Sequence, residues 1–327
     1  MSQAPAGGAA DLGRAVAEQV GRVIVGKAEQ TRLVTVALLA GGHVLIDDVP
    51  GVAKTLLVRT FAASLGLHFS RLQCTADLLP GDVTGSTVFD QRAGTFEFRP
   101  GPLFANVVLA DEVNRATPRT QSAFLEAMEE RSVTIDGHTH ALPQPFLVLA
   151  TQNPIELKGT FPLPEAQLDR FLLRLRMGYP SEDEEAQMLD RFRTGDPLSE
   201  VTTVDAASRL PAARRAVRDV HVADDVTRYV VALARATRET PLVRLGASPR
   251  ATLALLHASQ AWAALDGRDF VTPDDVQALV VPVLAHRLVL SRDAVIERRD
   301  ADEVLRAVVD AVPVPVEAPG DAEPQGG

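Results

Sequence analysis

The sequence is short of the residues on which several common protein classes depend. Cys74 is its single cysteine, so no internal disulfide can form and a reducing, cytoplasmic compartment is expected. A lone cysteine is far more often a small buried hydrophobe than a nucleophile. One Trp and two Tyr leave few platforms on which bases can stack. Basic residues never run beyond pairs such as those in "ARR" and "ERR", and the formal charge is −10 at pH 7. Loose electrostatic binding of nucleic acid needs a cationic face, so no nucleic-acid partner is expected. The apolar run "TVALLAGGHVLI" is short and broken by Gly-Gly, so no transmembrane segment is expected. The opening "MSQAPAGGAA" lacks the charged and apolar regions of an export signal.

What is present suits a soluble globular protein. Apolar residues make up 46% and charged residues 23% of 327, enough for two or three domains with cores of their own. Residues 1–9 and 313–327 are rich in Ala, Gly and Pro and read as disordered tails. From 10 to 178, short apolar runs alternate with helical patterns, which predicts an α/β layer structure with a mostly parallel sheet. The strand candidates are 43–46, 68–73, 106–110, 146–151 and 171–177. "NVVLA" and "FLVLAT" are apolar throughout, as strands covered on both faces must be. "GSTVFDQRAGTFEFRPG" and "RSVTIDGHTHAL" read as hairpins, the second turning at Asp136-Gly137. From 179 to 312 the pattern is helical and predicts a smaller all-α domain, with Ser181, Ser248 and Thr272 as helix caps.

"LIDDVPGVAKTLLVRT" resembles a phosphate-binding loop, G-x-x-x-x-G-K-[ST], with Asp48 and Ala53 at its two glycine positions. Lys54 follows a strand and opens a helix, where a cation is disfavoured by roughly 0.3–1 kcal/mol unless an anion sits there. The alternative is an ordinary surface lysine. Gly51 follows Pro50 and is expected to take the turn's positive φ. Ala53 is expected at φ < 0 with its methyl clear of the phosphates, and the Asp48 carboxylate must point away from them.

Three further places break local rules. The buried strand "NVVLA" ends in Asp111 and Glu112, where a phosphate-loop protein holds Mg²⁺ between a loop Ser/Thr and an acidic strand end. That reading gives Thr55 and Asp111 to the metal, Asp111 directly or through water, and makes Glu112 the general base. Asn153 ends another buried strand and either orients the attacking water or binds the γ-phosphate; a turn-forming Asn before proline is the plainer alternative. Arg250 stands in the first turn of a helix capped by Ser248, misplaced unless it faces an anion. Arg170 is less distinctive, because the adjacent Asp169 offers it an ordinary ion pair. His138 and His140 flank one residue in a hairpin and supply too few ligands for a structural metal.

With these residues in hand the chain resembles the MoxR family of AAA+ ATPases, in the group that carries a helix-2 insert. The resemblance runs from "VIVGKAEQ" to "HRLVLS", and "FRPGPLFANVVLADEVNRATPRTQSAFLEAMEE", "ATQNPIE", "FPLPEAQLDRF" and "GASPRA" carry it most specifically. It implies a P-loop AAA+ core with a five-stranded parallel sheet and a helical lid. It implies ATP and Mg²⁺ as ligands, with Pro50, Gly51, Val52, Ala53, Lys54, Thr55 and Leu56 forming the nucleotide loop and Ile24, Val25 and Gly26 lining the adenine pocket. Asp111 and Glu112 match Walker B, Asn153 matches sensor 1, and Arg250 matches sensor 2. Arg170 aligns with an arginine finger acting on a neighbouring subunit's nucleotide. The two hairpins match the helix-2 insert and the pre-sensor-1 hairpin. Hexameric rings and protein clients, including von Willebrand A-type partners, are implied. Two other expectations compete: a related nucleic-acid-moving motor, and a nucleotide-gated scaffold that does not hydrolyse.

Overall fold

The computed structural model describes residues 7–47, 51–153, 159–193 and 195–315. Up to residue 178 its strands are β1 (Val44–Asp47), β2 (Phe69–Gln73), β3 (Gly85–Asp90), β4 (Thr95–Pro100), β5 (Val107–Asp111), β6 (Ser132–Ile135), β7 (His138–Ala141), β8 (Leu147–Gln152) and β9 (Leu173–Leu175). Five of them form one sheet in the order β2-β5-β8-β1-β9, with every neighbouring pair parallel. β5 is buried along its whole length and β8 is buried except at Gln152, which accounts for their unbroken apolar sequences. The expected strands lie within a residue of these bounds, except the last, where "FLLRLRM" contributes only 173–175.

β3 pairs with β4 and β6 with β7 as antiparallel hairpins outside the sheet. The second turns at Asp136 (φ 49°) and Gly137 (φ 79°), the two successive positive angles that a tight hairpin turn requires. The hairpins touch each other, because the His140 ring stacks on Phe98 with centroids 4.0 Å apart.

Both faces of the sheet are covered. On one side Ile46, Leu109 and Leu149 pack with Phe61 of the helix Lys54–Ser64 and Leu38 of the helix Ala28–Ala40, and this core continues into Leu255, Leu279 and Leu305 of the C-terminal region. On the other side Leu45, Val108 and Val148 pack with Phe124 and Met128 of the helix Pro118–Glu130. The C-terminal region consists of helices Glu182–Arg193, Ala206–Arg218, Asp224–Glu239, Pro249–Leu265, Pro273–Leu284 and Ala301–Ala311, short turns, and a ribbon of β10 (Val243–Leu245) with β11 (Val289–Leu290). Thr272 caps its helix in a reciprocal box with Asp275, and Ser181 does so with Glu184.

One expectation at the N-terminus needs correction. Residues 1–9 read as a tail, yet the first helix, Gly7–Val23, starts inside that stretch. Ala9 and Leu12 are fully buried in the core, so the small residues there serve close packing. Residues 316–327 of the other expected tail lie outside the described residues.

Candidate active site

The carboxyl ends of β2, β5 and β8 and the start of the helix that follows β1 converge on a cavity of about 480 Å³, within the range of small-molecule sites. This is where the strand order reverses around β1, the usual place for a ligand in an open α/β sheet. Gly51, Ala53, Lys54, Thr55, Asp111, Glu112 and Asn153 all line it. The sequence expectations for these residues therefore meet in one place. Pro50 and Asp48 lie outside the described residues.

Lys54 and Thr55 are the first residues of the helix Lys54–Ser64, whose amino end points its partial positive charge at the cavity. Gly51 has φ 87°, as expected for the turn. Ala53 overturns its expectation: it is left-handed, at φ 59° and ψ 24°. Val52 between them does not share the positive φ. Alternation of hand along a loop brings successive N–H groups to the inside of the curve, forming an anion-binding nest. The convergence of the amides thus sets the conformation at 53, although an L-residue there costs about 1–2 kcal/mol.

Asp111 ends β5 and is buried, with one carboxylate oxygen accepting from Arg71 Nε at 2.7 Å and the other from Thr151 Oγ1 at 3.3 Å. The same Thr151 hydroxyl accepts the Glu112 N–H at 2.8 Å, so one side chain from β8 fixes both acidic residues. Glu112 itself has φ 56°, a conformation costly for a non-glycine residue and characteristic of functional turns. Its Oε2 accepts from Arg115 Nη1 at 2.9 Å and from Gln73 Nε2 at 3.3 Å. Asn153 follows β8 and is buried at the cavity wall.

Cys74 follows β2, and its N–H donates to the Asp111 carbonyl at 2.9 Å. Burial, with Asp111 and Glu112 adding to it, pushes its thiol up to about 12, so the sulfur stays protonated and inert.

Arg71, Gln73 and Thr151 were not singled out from the sequence. Arg71 and Gln73 alternate along β2 and so share a face, and Gln73 stands opposite Asp111 in the parallel register. The signal was two polar residues at i and i+2 in a strand, which becomes informative only once β2 is known to neighbour β5.

A small apolar cleft of about 60 Å³ adjoins the phosphate loop, sharing Gly51, Ala53 and Leu56 with the main cavity. Ile24, Val25, Val52, Met188 and Phe192 also line it, so the expected adenine position has apolar walls. Gly26 borders a neighbouring cavity instead. At φ 70° it leaves room for Glu184, into whose carboxylate a Cβ would run.

Arg170 and Arg250 stand apart from this site. They line a second cavity of about 300 Å³, together with His43, Glu129, Arg131, Asp169 and Arg287. Glu129 holds both arginines: Arg170 Nε lies 3.0 Å from Oε2 and Arg250 Nη1 donates to Oε1 at 3.1 Å. The anion expected for Arg250 is therefore present within the chain as a carboxylate. The ordinary partner expected for Arg170 is not Asp169, because side chains at i and i+1 diverge. Asp169 turns to the C-terminal region, accepting from Ser248 Oγ at 2.9 Å.

Among the described residues no cluster of His, Cys, Asp and Glu has the make-up of a metal cage, and no helix is long and apolar enough to cross a membrane. Thr55 and Asp111 supply hard oxygen donors at the phosphate-loop cavity, which is the chemistry Mg²⁺ accepts when phosphates complete its shell.

Comparison with known proteins gives the chain its relatives. The model of the ATPase family associated with various cellular activities (AAA) matches residues 43–173, and the AAA lid domain model matches 235–308. The chain is 50% identical to YeaC of Bacillus subtilis, named as uncharacterized, over 94% of this chain and 95% of YeaC. It is 42% identical to the chaperone MoxR1 of Mycobacterium tuberculosis, over 96% of this chain and 86% of MoxR1. A crystal structure from Cytophaga hutchinsonii, assigned as an ATPase, superposes with a TM-score of 0.88 at 34% identity, covering 95% of this chain and 98% of that one.

Proposed function

The chain belongs to the MoxR family of AAA+ ATPases, and on that premise we propose that it hydrolyses ATP at the interfaces of a ring of its own copies to remodel or mature partner proteins. One observation carries the proposal. The groups suited to binding phosphate and activating water share one cavity, while Arg170 and Arg250 line another. A complete hydrolytic site then takes its arginines from the next subunit, and a hexameric ring is the expected closed assembly. The relative named as a chaperone supports a protein client, and a von Willebrand A-type protein is one expected kind.

Each residue has a physical part. The amides from Gly51 to Thr55 and the Lys54 ammonium orient and neutralise the phosphates. Thr55 and Asp111 would hold Mg²⁺, which supplies charge neutralisation on the phosphate oxygens when bound. Glu112 accepts a proton from the attacking water, and Asn153 orients that water. The hydrogen bonds from Arg115 and Gln73 both fall on Glu112 Oε2 and orient the carboxylate at the cavity wall, leaving its second oxygen to accept the proton. The Arg170 and Arg250 guanidinium groups exchange the Glu129 carboxylate for a neighbour's phosphate, both being anions that match the arginine fork.

An arginine finger is worth roughly 10³–10⁵ in rate, about 4–7 kcal/mol. Arg170→Ala is expected to keep ATP binding and lose turnover, and Glu112→Gln to retain bound ATP unhydrolysed. In a mixture of the two variants, some interfaces regain an intact Glu112 facing an intact Arg170, so phosphate release is expected to recover. Wild-type turnover by Arg170→Ala would exclude Arg170 as the finger, and rapid hydrolysis by Glu112→Gln would exclude Glu112 as the base.

A further inference from the structure

The segment carrying Arg170 is held on both flanks by the lid. On its amino side, the Asp169 carboxylate accepts from Ser248 Oγ at 2.9 Å and lies 3.3 Å from Arg287 Nε. On its carboxyl side, the Phe171 carbonyl accepts from Arg287 Nη2 at 2.5 Å and from His286 Nε2 at 3.1 Å. Arg287 Nη2 also reaches the Asp169 carbonyl at 3.4 Å. Two separate lid elements supply these groups. Ser248 caps the helix Pro249–Leu265, which carries Arg250 in its first turn, and His286 and Arg287 lie in the turn Ala285–Arg287.

The burial of Arg287 makes this arrangement costly. Its side chain is 3% exposed, and among the described residues Nη1 and Nε make no hydrogen bond, nor does Asp169 Oδ1, so the Arg287 and Asp169 side chains meet as an ion pair alone. A buried cation demands a counter-charge in good geometry, and an apolar contact of equal volume is often at least as stabilising. Burial, opposed by the Asp169 carboxylate and joined by the nearby Arg250 cation, lowers its affinity for a proton, and at about 10 it remains charged at neutral pH. Such a pair is retained where it specifies an arrangement, and the backbone specified here is that of residues 169–171.

We propose that Asp169 is a positioning residue through which each subunit's lid sets the placement of its own Arg170 against the neighbouring subunit's nucleotide. Ser248 and Arg287 grip Asp169 from two lid elements, so a lid movement carries the base of the Arg170 side chain with it. Arg250 moves in concert, being two residues from Ser248 on the same helix start. The inference rests on the reading of Arg170 as the finger.

Asp169→Asn and Ser248→Ala test it. Each full-length variant is titrated with a fluorescent ATP analogue, sized by sedimentation, assayed for phosphate release, and mixed with Glu112→Gln subunits. Asp169→Asn is expected to bind the analogue within twofold of wild type, to assemble normally, and to lose at least tenfold in kcat. Ser248→Ala removes one hydrogen bond to the same carboxylate, together with the cap on the Ala251 N–H, and is expected to lose less in kcat, in the same direction. Mixing with Glu112→Gln is expected to restore turnover, because those subunits contribute an intact finger segment to the Asp169→Asn subunit's intact nucleotide site. A defect that weakens nucleotide binding in parallel, or that mixing fails to restore, assigns Asp169 to lid stability alone and overturns the proposal. Wild-type kcat in both variants, alongside an inactive Arg170→Ala, also overturns it while leaving Arg170 as the finger. Wild-type kcat in Arg170→Ala removes the underlying reading, and the proposal with it.

Discussion

Ala53 carries a methyl group where the backbone turns left-handed, at φ 59° and ψ 24°, and Ala53→Gly removes that methyl and nothing else. For an L-residue the left-handed conformation costs about 1–2 kcal/mol, which glycine escapes. Against this, glycine gains freedom in the unfolded chain worth about 0.4–1 kcal/mol. The difference predicts a net stabilisation of roughly 1 kcal/mol. Gly51→Ala is the converse experiment. At φ 87° its new Cβ would meet no atom within 4 Å among the described residues beyond its chain neighbours, so backbone strain is the effect tested. It is expected to destabilise by a similar roughly 1 kcal/mol. Urea unfolding without nucleotide reads both effects as shifts in midpoint at unchanged slope. Destabilisation by Ala53→Gly, or neutrality of Gly51→Ala, would refute the assignment of strain to this loop.

The remaining predictions concern buried charge. His43 donates from Nε2 to the Met128 carbonyl at 3.1 Å and accepts the Val148 N–H on Nδ1 at 3.0 Å, an arrangement that requires the neutral ring. Burial, ahead of the nearby Arg131 and Arg214, pulls its pKa from 6.5 to about 4, and burial lowers His286 in the same direction. The unfolded chain then binds more protons than the fold between these values. The stability His43 contributes is present above pH 6.5 and is lost as pH falls toward 4, amounting to about 2 kcal/mol by pH 5. Urea unfolding at pH 7 and pH 5 should show a smaller loss in His43→Gln than in the wild type; equal losses would contradict the linkage. Asp302, on the lid helix Ala301–Ala311, pairs with Arg174 and Arg176, and Arg174 also stands 3.8 Å from Asp47 at the end of β1. Asp302→Ala leaves the mostly buried Arg174 with that distant partner and should cost about 3–5 kcal/mol. A loss below about 1 kcal/mol in thermal or urea unfolding would show that solvent reaches Arg174 easily.

Legibility in the sequence followed the physics of each feature. β5 and β8 were readable because strands covered on both faces must be apolar, and Asp111, Glu112 and Asn153 stood out as polar residues where such strands stop. The hand at Ala53 was not readable. Residue type gives only the cost of a positive φ, whereas the need for converging amides decides whether that cost is met. Arg71 and Gln73 required the strand order, which no local pattern encodes. Glu129 as the partner of Arg170 depends on a helix 41 positions upstream lying across the same cavity, a contact of tertiary packing alone.

The helix Pro118–Glu130 begins just beyond Glu112 and the turn Val113–Arg115, and its last turn bears Glu129. At 1.5 Å per residue its 13 residues make a strut about 20 Å long. Gln121 anchors it by donating to the Val113 carbonyl at 3.2 Å and the Phe161 carbonyl at 2.8 Å. An α-helix stretches very little along its axis, so it acts as a connecting rod between the acidic pair at one end and the two arginines at the other. A loop of equal span would leave the distance between the two ends free to vary, whereas the helix holds it. The spacing between the acidic pair and the two arginines is thus set by the length of one helix.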